Sequence, residues 1–204
     1  MGGAAQGLPG RGGDREDPVI LVTTGTHVQP FDRLVRAAEQ VALAVDEEVV
    51  VQRGASKEPA PHCRVVDLLP WSELEALMGQ ARVVVCHTGP ATVFQAASHG
   101  HVPVVVPRSA SHGEHVDDHQ RWFASWLRDK VDLVEDPAEL VEAVTRHEDR
   151  VRGLAPLRSS PEEIAATADQ MASLVRQVAR RSPRSYNAMN ALVSLFQRKR
   201  RSDR

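Results

Sequence analysis

Cysteine is scarce: Cys63 and Cys86 are the only two in 204 residues. Both fall in or beside apparent strands. Two buried thiols exclude a disulfide scaffold and fit a cytosolic protein. A formal net charge of -2 excludes a generally basic surface, so no nucleic-acid partner is expected. No apolar run approaches the length that spans a bilayer. The opening MGGAAQGLPGRGGDREDP has no apolar core segment and does not read as a secretory signal. Rich in Gly and charge, residues 1–17 read as a disordered tail. Three signatures are missing as well: the G-x-G-x-x-G dinucleotide fingerprint, the G-x-x-x-x-G-K-[ST] phosphate loop and the G-x-S-x-G nucleophile elbow. NAD-binding, P-loop and α/β-hydrolase readings are set aside on that ground.

What is present is an alternation of short apolar runs with amphipathic stretches. Val19 to Val22 reads as a strand buried on both faces, ending in Thr23-Thr24-Gly25-Thr26. Phe31, Leu34, Val35, Ala38, Val41, Ala42 and Val45 then recur at helical spacing. Further strands are expected at Glu48 to Gln52, Cys63 to Leu68, Arg82 to Cys86, Val102 to Val106 and Val131 to Val134. Further helices are expected from Trp71-Ser72, with Ser72 as N-cap, and over Thr92 to Ser98. Two more are expected over His115 to Leu127 and from Asp136-Pro137 through Val144. On the His115 to Leu127 helix, Trp122, Phe123, Trp126 and Leu127 form the expected core side. Alternating strands and helices imply an α/β fold: a single Rossmann-like, doubly wound parallel sheet over residues 18–150. Residues 151–204 read as a helical extension, with helices over Pro161 to Arg181 and Tyr186 to Arg204 and a basic end.

The chemistry-bearing residues cluster in the loops after strands. Ligands of open α/β sheets bind there, outside the carboxyl ends. Thr24-Gly25-Thr26 stands between a strand and a helix, where unpaired backbone N–H groups and the helix dipole favour an anion. Alone, this motif equally describes an ordinary turn. Thr88-Gly89-Pro90-Ala91-Thr92 repeats the construction after another strand, and a polar loop ends in Asp118-His119-Gln120.

Taken together, VILVTTGTHVQPFDRLVR, the H-x-G-x-x-T turn at His87 to Thr92, and Pro107-Arg108…Gly113-Glu114-His115…Asp118-His119-Gln120 resemble the donor-binding, carboxyl-terminal domain of family 28 glycosyltransferases. The resemblance covers roughly Val19 to Ala143. It is closest to stand-alone catalytic subunits, such as the small subunit of the dolichol-linked GlcNAc transferase and bacterial exopolysaccharide subunits. It implies the C-terminal half of a GT-B fold with a UDP-sugar donor site. In that site Thr24, Gly25 and Thr26 face the phosphates or the reaction centre. His87, Thr88, Gly89, Ala91 and Thr92 cradle the diphosphate, and Asp118, His119 and Gln120 meet the sugar hydroxyls. It also implies inverting transfer to a lipid-linked saccharide, with a separate membrane-anchored subunit supplying the acceptor site at the cytoplasmic face. No cofactor and no metal are implied.

One position departs from the family pattern. An acidic residue usually accepts the ribose hydroxyls; here it is Gln95, which loses charge-assisted bonding. That keeps open a non-catalytic accessory subunit, beside a UDP-sugar epimerase-like protein. Candidate general bases are His27, Glu114 and His115. His27 also fits a solvent-facing loop. His112, His115 and His119 beside Asp117 and Asp118 resemble a metal cluster by composition, with His115 and His119 expected on one helix face, but no further ligand constellation is evident. His62, His99 and His101 read as surface or turn residues. Arg198-Lys199-Arg200-Arg201 fits either a solvated helix end or attraction to anionic lipid.

Overall fold

A computed structural model describes residues 18–155 and residue 157. Six parallel strands are laid down as β1 (Val19–Thr23), β2 (Glu48–Gln52), β3 (Arg64–Val66), β4 (Ala81–His87), β5 (Val104–Val106) and β6 (Asp132–Leu133). Their spatial order is β3-β2-β1-β4-β5-β6, so the chain winds outward from β1 one way, then returns to its other side. The carboxyl ends of β1 and β4 therefore flank the point where the winding reverses. Crevices form there because the connections leave in opposite directions.

Valine-rich runs make these strands because β-branched side chains pack well on both pleated faces. Alternate residues serve opposite faces. Ile20, Val22, Val49, Val51, Val83 and Val85 face helix α1 (Asp32–Ala44) and α5 (Leu140–Thr145). Leu21, Val50 and Val84 face α2 (Trp71–Gln80) and α3 (Pro90–Ser98). Cys86 and Val105 meet α4 (His119–Leu127) through Phe123 and Leu127.

The expected elements are present, with shifted ends. Ser72 does not cap α2: Pro70 occupies that position with no side-chain bond, and Ser72 lies within the helix. Asp136 does cap, accepting from the Ala138 N–H at 3.0 Å. Helix α4 begins at His119, not His115; residues 110–112 form one 3-10 turn and Gly113 turns left-handed at φ 70°. Trp122 was expected in the core but lies 40% exposed, and Ala124 takes its place. Cys86 is buried, whereas Cys63 is only half-buried. Burial, with Glu39 acting also on Cys63, pushes both thiols up to about 12. A short helix α6 (His147–Val151) follows α5. Past residue 150, the Ala155 N–H donates to Asp129 O at 2.9 Å, and Leu157 packs beside Leu127. The expected disordered tail at residues 1–17 lies outside the described residues, as do both C-terminal helices and Arg198 to Arg201. Among the described residues, no helix is long and apolar enough to cross a membrane.

Candidate functional site

Three loops meet at the carboxyl edge: residues 24–31 after β1, Thr88-Gly89 after β4, and residues 107–118 after β5. The first differs from its expected form. Helix α1 begins only at Asp32, so Thr24-Gly25-Thr26 does not stand at a helix start. Thr24 is fully buried; its N–H and hydroxyl donate to Gln52 O at 3.0 and 3.3 Å. The Gly25 N–H donates to Thr23 Oγ1 at 3.2 Å. Of this triplet, Thr26 alone is exposed. Of the two turns expected at helix starts, the one after β4 is found there.

The helix there is α3. Pro90 opens it, and no side chain caps it. A helix start without a cap leaves backbone donors to solvent or ligand. Beside it, Thr88 is fully buried and its hydroxyl has no hydrogen-bond partner. Ala91 is exposed and Thr92 half-buried. The His87 ring is wedged between two glycines: a Cβ at Gly25 or at Gly89 would overlap it. Gly25 has φ +81°, so it is needed for conformation as well as space. Burial, then the charge of Arg108, pushes the His87 imidazole down to about 3, so the ring is neutral at pH 7.

Arg108, quoted in the sequence motif but given no role, holds the loops together. It is fully buried. Its Nη1 donates to Gln29 O (2.8 Å) and Glu114 O (2.9 Å), and its Nη2 to Thr24 O (2.7 Å). The guanidinium lies over the Phe31 ring, 4.9 Å from its centroid. Burial pushes its pKa down to about 10, which leaves it charged at pH 7.

Glu114, a candidate base, is committed elsewhere. Its carboxylate takes Arg33 Nε (2.6 Å) and Nη2 (2.9 Å) and the Ser109 N–H (2.9 Å), with its side chain 4% exposed. Both carboxylate oxygens are thereby engaged by Arg33 and Ser109. His27 Nδ1 accepts from the Gln29 N–H at 3.2 Å, which puts the ring proton of the neutral form on Nε2. Its pKa is lowered by burial and then by Arg108. His115 lies in the loop before α4 rather than on the helix. Its ring centroid is nonetheless 4.4 Å from those of both His27 and His119. Burial and the neighbouring histidines push it down to about 4.

The trio expected to meet the sugar is also braced. Asp118 Oδ1 accepts from the Ala110 N–H at 2.9 Å, and buried Gln120 Oε1 from the Arg108 N–H at 3.3 Å. His119 Nδ1 contacts Asp117 Oδ1. On α3, Gln95 Nε2 donates to Glu75 Oε1 of α2 at 2.8 Å. The Gln95 amide is thus committed to the neighbouring helix. Of the outlying histidines, His62 and His99 are exposed, and half-buried His101 bonds Met78 O at 2.6 Å.

Residues 19–181 match the glycosyltransferase family 28 C-terminal domain. The chain belongs to this family. Among solved structures, this family 28 domain is similar to CalG4, the calicheamicin glycosyltransferase, at 21% identity and a TM-score of 0.50. That match covers 85% of this chain and 45% of the other. It is also similar to MurG of Acinetobacter baumannii, at 19% identity and a TM-score of 0.45, covering 68% of this chain and 43% of the other. The CalG4 likeness shows a shared fold, and the chain spans less than half the length of either protein. No curated protein matches by sequence.

Proposed function

We propose that this family 28 domain binds the UDP-sugar donor of a hexosyltransferase at the carboxyl edge. The observation that carries the reading is the uncapped start of α3 beside the buried, unpartnered Thr88 hydroxyl. Both would be satisfied by a diphosphate, whose oxygens accept from backbone N–H and hydroxyl alike. The departing nucleotide carries the charge that forms as the sugar leaves, and the helix end stabilises it.

His87, Gly89, Ala91 and Thr92 line this end. Thr26, His27 and His119 stand across it, and Asp118 and Gln120 hold the third loop in place. The acceptor is a lipid-linked saccharide brought by a membrane-anchored partner at the cytoplasmic face, and transfer proceeds with inversion. The general base comes from that partner, because Glu114 is ion-paired, His27 holds its proton on Nε2 and His115 is a weak base.

Calorimetric titration with UDP, UDP-GlcNAc, UDP-glucose, UDP-galactose and UDP-glucuronate tests the reading. Binding of UDP, with one sugar preferred, is expected. Absence of binding to all five overturns it.

A further inference from the structure

The loop into α4 and the first residue of that helix gather ligand-type atoms, and the donor reading uses only His119 among them. His115, Asp117 and His119 each offer one, all within 4.8 Å of one another. His115 carries the strongest sign. Its side chain is 9% exposed, and its Nδ1 is buried with no hydrogen-bond partner, 3.5 Å from Asp117 Oδ1. His119 Nδ1 contacts that same oxygen, which also accepts the His119 N–H at 3.1 Å. The carboxylate is thereby fixed between two imidazole nitrogens.

We propose that His115, Asp117 and His119 bind one divalent transition-metal ion of the zinc type. Two imidazoles and one carboxylate are borderline donors, suited to zinc or cobalt, whereas magnesium and calcium take all-oxygen sets. Tetrahedral zinc holds nitrogen and oxygen ligands at about 2.0–2.1 Å, which sets neighbouring ligand atoms about 3.3 Å apart. The separation of 3.5 Å between His115 Nδ1 and Asp117 Oδ1 matches that spacing. Binding gives the orphaned His115 nitrogen a partner and displaces the proton between His119 and Asp117. Three protein ligands leave a position open, as at sites that take water or a substrate oxygen. The sequence suggested such a cluster by composition, but a helix over His115 would have carried Asp117 to another face. The proposal shares His119 with the donor reading, and zinc binding without nucleotide tests it separately.

The test is zinc titration of the full chain after dialysis against a chelator, with cobalt as a spectroscopic substitute. One zinc ion per chain is expected, together with the intense visible absorption of four-coordinate cobalt. His115→Ala and His119→Ala are each expected to weaken zinc binding by about a hundredfold or more. Circular dichroism establishes that the variants fold. Should either not fold, Asp117→Asn, which keeps size and hydrogen bonding, takes its place with the same loss expected. Failure of the wild-type chain to bind zinc overturns the proposal, and so does zinc binding that survives in folded variants.

Discussion

At the scale of single residues, the site separates groups held for the fold from groups left for a ligand. Thr24 and Thr88 are both fully buried threonines after a central strand, yet Thr24 spends its hydroxyl on Gln52 O while the Thr88 hydroxyl bonds nothing. Thr88→Val removes a hydroxyl with no protein partner. It is expected to leave the melting temperature unchanged or raised, while UDP affinity falls roughly tenfold, or about 1.4 kcal/mol. Calorimetry and thermal denaturation of the same sample check both halves. Gly89 has φ -85°, open to any residue, so its substitution is governed by the His87 ring. Gly89→Ala is expected to cost about 1–3 kcal/mol by overpacking. Most of that should return in the Gly89→Ala/His87→Ala double variant, measured as a double-mutant cycle in urea. These roles were not legible in the sequence. A threonine after a strand looks the same whether its hydroxyl turns to a carbonyl or to a ligand. The Gln95–Glu75 bond joins two helices that no periodicity connects.

At the scale of elements, strands were the most legible because unbroken valine runs admit few other readings in an alternating pattern. The helix ends were not. The stretch from His115 to Asp118 has helical composition, but the left-handed Gly113 and the Asp118 bond to Ala110 hold it as a loop. Arg108 escaped a role because a loop arginine is ordinarily exposed. Here it fastens the β1 and β5 loops. Arg108→Met is expected to cost about 3 kcal/mol, since three buried carbonyls lose their donor. Faster amide exchange in residues 24–31 checks that the loops loosen. A second clamp joins β6 to α6: Arg150 Nε and Nη2 bond Asp132 at 2.7–3.0 Å, and His147 Nδ1 stands 3.7 Å away. Burial opposes the Asp132 charge, but the nearby His147 and the bonds from Arg150 prevail and hold its pKa below the usual carboxylate value. A carboxylate depressed in the folded state stabilises above its unfolded pKa, near 3.9, and that contribution fades as pH falls through the folded value. Asp132→Asn is therefore expected to lose about 2 kcal/mol at pH 7, with the gap from wild type closing below about pH 4 in urea titrations.

At the scale of the whole molecule, the described residues present one edge where the three loops meet. Val28 and Val116, on the β1 and β5 loops, are 84% and 74% exposed. Apolar side chains on neighbouring loops at a ligand edge fit a surface that a second domain covers. Val28→Asp is expected to leave UDP binding and melting temperature unchanged, while lowering sugar transfer by about tenfold once the acceptor half is supplied. The sheet's winding has a separate consequence during synthesis. Strand β1 pairs with β4, Val19 against Ala81, and Arg108 follows later still. A chain emerging from the ribosome therefore exposes one side of its first strand until β4 arrives. A nascent chain stalled before Arg108 has both glycine turns but nothing to fasten them. The turn nearest the start of the chain is therefore made long before the arginine that fastens it is translated.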